Sequence, residues 1–279
     1  RRNTSVSPRK DHTSQSTTAT DLTVAAESSE RQAVRVLHLT DPHLFADEGG
    51  ELRGVVTAQS LARVLDHYRD NDWKADVVIA SGDLVQDDSA GAYRRLAREL
   101  SPLALPVLVV PGNHDVPAIM RDVLRTPPFR INETTALGEW LLAGIDTQVV
   151  GRASGAVSEA EFERLEADLG AAEQQHALVY MHHAPVNVGS RWLDSVGMDD
   201  AAAVLERIAG NSKVRIILFG HVHQTYDAIC DGVRVLGTPS TCRQFKPMSE
   251  TFAVDDRPPA YRRLELGPDG HFETTLIWT

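Results

Sequence analysis

From Val34 onward the chain alternates between short, unbroken apolar runs and longer segments whose apolar residues recur every three or four positions. The runs "VRVLHL", "ADVVIA", "LPVLVV", "HALVYM" and "VRIILF" have the length of strands covered on both faces, where polar alternation disappears. "EWLLAGIDTQ" reads as another strand, and "GVRVLGTPST", "AYRRLELG" and "FETTLIW" make the C-terminal end strand-rich. Between the runs, helical spacing predicts a helix near 56–70, with Leu61, Val64, Leu65 and Tyr68 on one face. Others are predicted around 89–100, near 118–124, and in "SEAEFERLEADLG" and "DDAAAVLERIAG". Ser158 and Glu161 have the capping-box spacing, and Gly170 and Gly210 are placed to end the last two helices. Strands alternating with helices, followed by terminal strands, imply a mixed α/β sheet stack with helices outside. No repeat at solenoid periods runs through it.

Residues 1–32 break the pattern. "RRNTSVSPRKDHTSQSTTATD" cannot bury enough apolar surface to offset ordering, so a disordered tail is expected over 1–32 and one domain over 33–279. Arg1 and Arg2 are not followed by the apolar segment that an export signal needs. No apolar stretch is long enough to span a bilayer. The formal charge of −11 argues against nucleic acid as the main partner. It also means that an anionic substrate would need positive charge the sequence does not encode, such as a metal. With two cysteines, Cys230 and Cys242, a reducing, cytoplasmic setting is expected. One bridge between them stays open, and neither has a zinc-binding spacing.

The five central runs share an unusual exit. They lead into Asp41 and His43, into Asp83, into Asn113 and His114, into His182 and His183, and into His221 and His223. In open α/β sheets, functional groups gather beyond the carboxyl ends of strands, so these exits are expected to converge. Imidazole, carboxylate and amide oxygen together suit a pair of transition-metal ions. Asp-x-His and His-x-His place both side chains on one side of a strand, within reach of one ion. Gly82, Gly112 and Gly220 each precede a candidate ligand and let the chain close on the site. Singly, Asp83 would read as a helix cap, Asn113 as a turn residue, and His182 and His183 as core histidines. Five such exits in one chain outweigh those readings. His12, His38, His67, His176 and His271 lie outside the set and receive no function.

"TDPHLF", "SGDLVQDDS", "VPGNHD", "YMHHAP" and "FGHVHQ", in this order, resemble the five blocks of the calcineurin-like metallophosphoesterase superfamily. "LTDPHLFADEGGELRGV", "GDLVQDDSAGAY", "SRWLDS" and "LGTPSTCRQFKP" narrow the resemblance to the bacterial class III 3′,5′-cyclic AMP phosphodiesterases, over about residues 33–279. The resemblance implies a four-layer α/β/β/α sandwich with mixed sheets and a dimetal site at strand C-terminal ends. Two ions about 3.5 Å apart are implied, iron with manganese, iron or zinc. Asp41, His43, Asp83 and His223 would hold one; Asp83, Asn113, His182 and His221 would hold the other, with Asp83 bridging. His114 would stand beside the scissile phosphate as the catalytic residue, with His43, Asp83, Asn113 and His223 also against the substrate, and His183 behind the ligands.

The activity so implied is hydrolysis of 3′,5′-cyclic AMP to 5′-AMP by a metal-bridging hydroxide. A broader phosphodiesterase, acting on 2′,3′-cyclic nucleotides or other diesters, is the alternative. A non-catalytic scaffold of the same fold is the remaining one, although such scaffolds lose ligands and none is missing here. The partner is a small cyclic nucleotide, with neither nucleic acid nor membrane; a homodimer is left open. Where many relatives carry the Asp that orients the non-ligand histidine, this chain has Gln86, then Asp87. What orients His114 is therefore open: Asp115 is adjacent, but strand alternation would point it away. Trp192 either walls a nucleoside pocket or anchors its loop, and Arg243 either balances phosphate charge or makes an ordinary salt bridge.

Overall fold

Both faces of the apolar runs are indeed covered, because the strands form two six-stranded sheets stacked on each other with helices outside. The computed structural model describes residues 32–279, so the expected tail lies outside the described residues apart from Gln32. One sheet has the order Phe272–Trp278, Ala260–Leu266, Val34–Leu39, Val77–Ser81, Val107–Val110, Phe129–Ile131. Its last four strands are parallel, and the C-terminal pair is added antiparallel. The other sheet has the order Tyr226–Cys230, Val233–Gly237, Val214–Phe219, His176–Tyr180, Trp140–Gly144, Thr134–Leu137. Its four inner strands are parallel and both edges antiparallel.

Alternation along each strand divides its side chains between two cores. Val36, Ile79, Val110 and Leu264 meet Leu142, Leu178 and Ile216 in an apolar layer between the sheets. Leu37 and Leu39 point the other way, onto Leu61 and Leu65 of helix α1 (Thr57–Arg69) and Tyr93 and Leu96 of α2 (Ala90–Leu100). α3 (Pro117–Val123) adds Met120 to this layer. Val179 and Ile217 of the second sheet pack outward on Phe162, Leu165 and Leu169 of α4 (Glu159–Ala171). The fold is thus the four-layer α/β/β/α sandwich with mixed sheets. Its layer order brings the carboxyl ends of both sets of parallel strands to one rim.

Local departures from the sequence reading have physical causes. Gly170 lies inside α4, which runs to Ala171 and leaves through extended Ala172. The last carbonyls are taken by Lys213 Nζ, bonded to Leu169 O and Ala172 O at 2.9 and 2.6 Å, so no left-handed glycine is needed. Ser158 caps the Glu161 amide, but the Glu161 carboxylate serves Asp146 N, Asn132 and Arg164 instead of reaching back. The edge strands Phe129–Ile131, Thr134–Leu137 and Tyr226–Cys230 were not predicted; they are short and partly exposed. A single helical turn, α5 (Arg191–Asp194), carries Trp192. Both cysteines are free thiols, and among the described residues no helix is long and apolar enough to cross a membrane.

Candidate metal centre

The five strand exits meet in two adjoining nests of donor atoms. In the first, His43 Nε2 lies 3.1 Å from His223 Nε2, which is 3.3 Å from Asp41 Oδ1. Asp83 Oδ2 closes this nest at 3.7 Å from His43 Nε2. In the second, Asn113 Oδ1 lies 3.1 Å from His221 Nδ1 and 3.3 Å from His182 Nε2. Those two nitrogens are 3.3 Å apart, and Asp83 Oδ1 is 3.4 Å from His182 Nε2. Asp83 thus turns a different oxygen to each nest. Ligand bonds of roughly 2.0–2.2 Å imply donor-to-donor edges of roughly 3.0–3.5 Å, close to the spacings found.

The outer nitrogens of the four rings decide what the inner ones offer. His43 Nδ1 bonds Gln86 Oε1 at 2.8 Å, His182 Nδ1 bonds Ser81 O at 2.8 Å, and His221 Nε2 bonds Val196 O at 3.0 Å. His223 Nδ1 bonds Arg243 O at 2.5 Å. A carbonyl oxygen only accepts, so each ring carries its proton outward and presents a lone pair inward. Four lone pairs, two carboxylates and an amide oxygen then face each other with no proton to share. A cation in each nest satisfies that arrangement; the donor set fits two metal ions.

Charge points the same way. Asp41 and Asp83 are 0% and 3% exposed, and their ion-pair partners among the described residues are histidines alone. Burial opposes ionisation of Asp41, but His223 beside it holds its carboxyl down at about 2. Burial likewise opposes ionisation of Asp83, which His182 outweighs, keeping its carboxyl well below the usual range. Burial would lower His182, yet Asp83 raises it to about 9, which shows how strongly these carboxylates favour positive charge beside them.

The backbone is strained here. Asp41, His43, Asp83, His221 and His223 all have left-handed φ, between 46° and 66°. For residues with a Cβ this costs roughly 1–2 kcal/mol each, a sum comparable with the net stability of a domain. It persists because the loops are tied down: Asp41 N bonds Gly82 O, His43 N bonds Asp83 O, and His114 N bonds Asp83 Oδ1 at 2.8 Å. The strands end at Leu39 and Phe219, so strand alternation is not what joins Asp41 to His43. Left-handed turns aim those side chains, and His221 and His223 end in different nests. At Gly82 (φ +87°) a Cβ would come within 2.5 Å of His182 Nδ1, so only glycine lets these loops touch.

Two neighbouring histidines stand apart from the nests. His183 lies close to the second nest, but its Nε2 bonds Ala153 O at 3.2 Å and its Nδ1 bonds Thr147 Oγ1 at 2.8 Å. Both nitrogens are spoken for, so it packs behind His221 instead of facing inward. His114 lies beside His43, and its Nδ1 accepts from Gln86 Nε2 at 3.3 Å. Asp115 points elsewhere, accepting from Gly112 N, Leu84 N and Tyr93 Oη. Asp83 does not cap α2; Ser89 does.

Gln86 therefore answers the question of what orients His114. One amide accepts from His43 and donates to His114, fixing both rings. Gln86→Glu keeps the acceptor for His43 and removes the donor for His114. It is expected to hold metal affinity within about threefold while kcat falls about tenfold or more. Metal titration beside steady-state turnover tests this; equal losses in both would refute it.

A cavity of about 320 Å³ opens over the nests, lined on one side by His43, Asp83, Asn113, His114, His221 and His223. Its other wall is aromatic. Trp192 meets Phe245 and Phe252 edge to face, with centroids 5.1 Å apart in each pair, and Phe245 stacks flat on His223 at 4.1 Å. Trp192 thus both lines the cavity and anchors its loop, while Phe245, Phe252, Leu52 and Arg53 were not singled out in the sequence. Arg243 makes the ordinary salt bridge, 3.1 Å to Asp256, and lines a different cavity.

Comparison with known proteins gives a consistent result. Residues 34–225 match the family described as calcineurin-like phosphoesterase. The chain is 37% identical over 249 residues to the 3′,5′-cyclic adenosine monophosphate phosphodiesterase CpdA of Haemophilus influenzae, spanning 89% of this chain and 91% of the relative. It is 38% identical over 244 residues to the protein of the same name from Escherichia coli, spanning 87% and 89%. Among solved structures, a dimetal phosphatase from Danio rerio shares the fold with a TM-score of 0.60 at 17% identity, over 88% of this chain and 99% of that one.

Proposed function

The chain belongs to the calcineurin-like phosphoesterase family, and on that premise we propose that it hydrolyses 3′,5′-cyclic AMP to 5′-AMP. The observation that carries the reading is the pair of nests sharing Asp83, set beneath a cavity with an aromatic wall. In this reading Asp41, His43, Asp83 and His223 hold one ion, and Asp83, Asn113, His182 and His221 the other. Iron with manganese, iron or zinc suits these donors. Such ions, when bound, offset phosphate charge and lower the pKa of the water they hold.

The chain's own groups supply the rest. Because Gln86 donates to His114 Nδ1, the ring proton sits at Nε2. From there His114 donates a hydrogen bond to an equatorial phosphate oxygen and to the departing 3′ oxygen, keeping its own proton because a neutral imidazole does not give one up. Water oxygen joins phosphorus as the P–O3′ bond breaks; one of the water protons ends on O3′ and the other is released from the new 5′-phosphate. His43, Asp83, Asn113 and His223 complete the phosphate side of the cavity. Trp192, Phe245 and Phe252 exclude water and offer the purine an apolar face. Free Cys230 and Cys242 suit a reducing cytoplasm, and the charge of −11 suits a small ligand better than nucleic acid.

The test is a substrate panel at equal enzyme and defined metal content. kcat/KM for 3′,5′-cyclic AMP is expected to exceed that for 2′,3′-cyclic AMP and bis(p-nitrophenyl) phosphate by about tenfold or more, and chelation should abolish it. Parity across the panel would make the protein a broader phosphodiesterase. No turnover of any substrate by metal-loaded protein would make it a scaffold.

A further inference from the structure

His38 falls in the strand "VRVLHL" at the same parity as Val36, so its ring points into the layer between the sheets. Ser81 and Arg262 follow from the parities of Ile79 and Leu264 and point into the same layer. All are buried: His38 and Ser81 are 0% exposed and Arg262 is 2% exposed. A buried guanidinium ordinarily pairs with a carboxylate. Among the described residues, Arg262 bonds only neutral oxygens: Thr238 Oγ1 at 3.0 Å, Thr274 Oγ1 at 2.9 Å and Gly237 O at 2.9 Å.

From Thr238 the bonds continue without a gap to the first nest. Thr238 Oγ1 lies 2.7 Å from His38 Nδ1, and His38 Nε2 lies 2.7 Å from Ser81 Oγ. Ser81 Oγ bonds Thr40 Oγ1 at 2.9 Å, and Thr40 Oγ1 bonds Asp41 Oδ2 at 2.6 Å. The Asp41 end fixes the direction of the bonds, and the Arg262 end is compatible with it. Arg262 Nε can only donate, which leaves the Thr238 proton free to go on to His38 Nδ1. A neutral His38 then donates from Nε2 to Ser81. Burial, reinforced by Arg262, keeps that ring neutral by lowering it to about 3. Starting from the other end, ionised Asp41 can only accept, so Thr40 donates to it and Ser81 donates to Thr40. Ser81 must then accept from His38. The carboxylate end therefore sets the polarity, and the guanidinium end accommodates it.

We propose that Arg262, Thr238, His38, Ser81 and Thr40 form a one-way hydrogen-bond chain that holds Asp41 Oδ2 and leaves Oδ1 for the ion shared with His43 and His223. The inference rests on the dimetal reading above. The His221 amide is shared between the two oxygens, 3.0 Å from Oδ2 and 3.2 Å from Oδ1, so it is the Thr40 hydroxyl that distinguishes Oδ2, while Oδ1 is the oxygen 3.3 Å from His223 Nε2. A Cβ at Gly220 would overlap Thr40 Oγ1 and sit 2.7 Å from Asp41 Oδ2, so a glycine there leaves room for the final link. These residues position a ligand; none of them touches substrate.

The experiment titrates Mn2+ into apoprotein and follows the free ion by electron paramagnetic resonance. In wild type two binding steps are expected, and the Asp41-side step is the one that survives Asn113→Ala. Thr40→Val keeps the side-chain shape and loses the hydroxyl; it is expected to weaken that step about 10–100-fold and the other less than about threefold. His38→Leu is expected to do the same. His38→Gln, whose amide can accept from Thr238 and donate to Ser81, is expected to stay within about threefold of wild type. Both steps unchanged in Thr40→Val would overturn the proposal, as would His38→Gln falling as far as His38→Leu. Thr40→Val decides alone if the His38 variants do not fold. Wild-type protein that binds no Mn2+ would overturn the dimetal reading instead.

Discussion

Asp83→Asn is expected to empty the first nest, weaken the second, and lower turnover by about 10³-fold or more. The reason is the two-sided role of this carboxylate. The His114 amide, 2.8 Å away, donates to Oδ1 and would hold the asparagine oxygen in that position. The amide nitrogen would then replace Oδ2, turning two N–H groups toward His43 Nε2 where a cation needs an anionic oxygen. Other single ligands serve one nest, whereas this substitution removes negative charge from both. Metal analysis of purified variant beside steady-state kinetics checks it. Two ions per chain with wild-type turnover would remove Asp83 from the bridging role.

His114→Ala is expected to give the opposite dissociation of metal and rate. Its Nδ1 is taken by Gln86, and the donors of both nests are complete without it. Both ions should remain, while kcat falls about 10²–10⁴-fold with the loss of the proton at Nε2. A good leaving group needs less hydrogen-bond stabilisation at the departing oxygen, so the deficit should be smaller for bis(p-nitrophenyl) phosphate than for cyclic AMP. Loss of an ion in this variant would make His114 a ligand. His114 donor atoms do lie within 4.8 Å of those of His43 and Asp83, so the measurement is a discriminating one.

The strands, the layers and the residues of the nests were legible because burial on both faces erases polar alternation. Asp, Asn and His directly after such runs then stand out. Three things were not legible. The aim of Asp41, His43, His221 and His223 comes from left-handed turns that no spacing announces. The double use of Gln86 depends on His43 and His114, 71 residues apart in sequence, lying on either side of one amide. The aromatic wall draws Phe245 and Phe252 from loops where isolated aromatics carry no periodicity. His38 was passed over although the signal existed: an imidazole in the middle of an apolar strand has to find partners.

The strand order of the first sheet has a consequence for biosynthesis. Ala260–Leu266 is inserted beside Val34–Leu39, which is translated long before it. A nascent chain on the ribosome can therefore hold every donor of both nests by residue 223 and still lack Arg262 and the antiparallel neighbour of Val34–Leu39. Full activity should appear only once Ala260–Leu266 has been made and paired, and a premature stop near residue 258 should yield an inert product despite an intact set of family motifs.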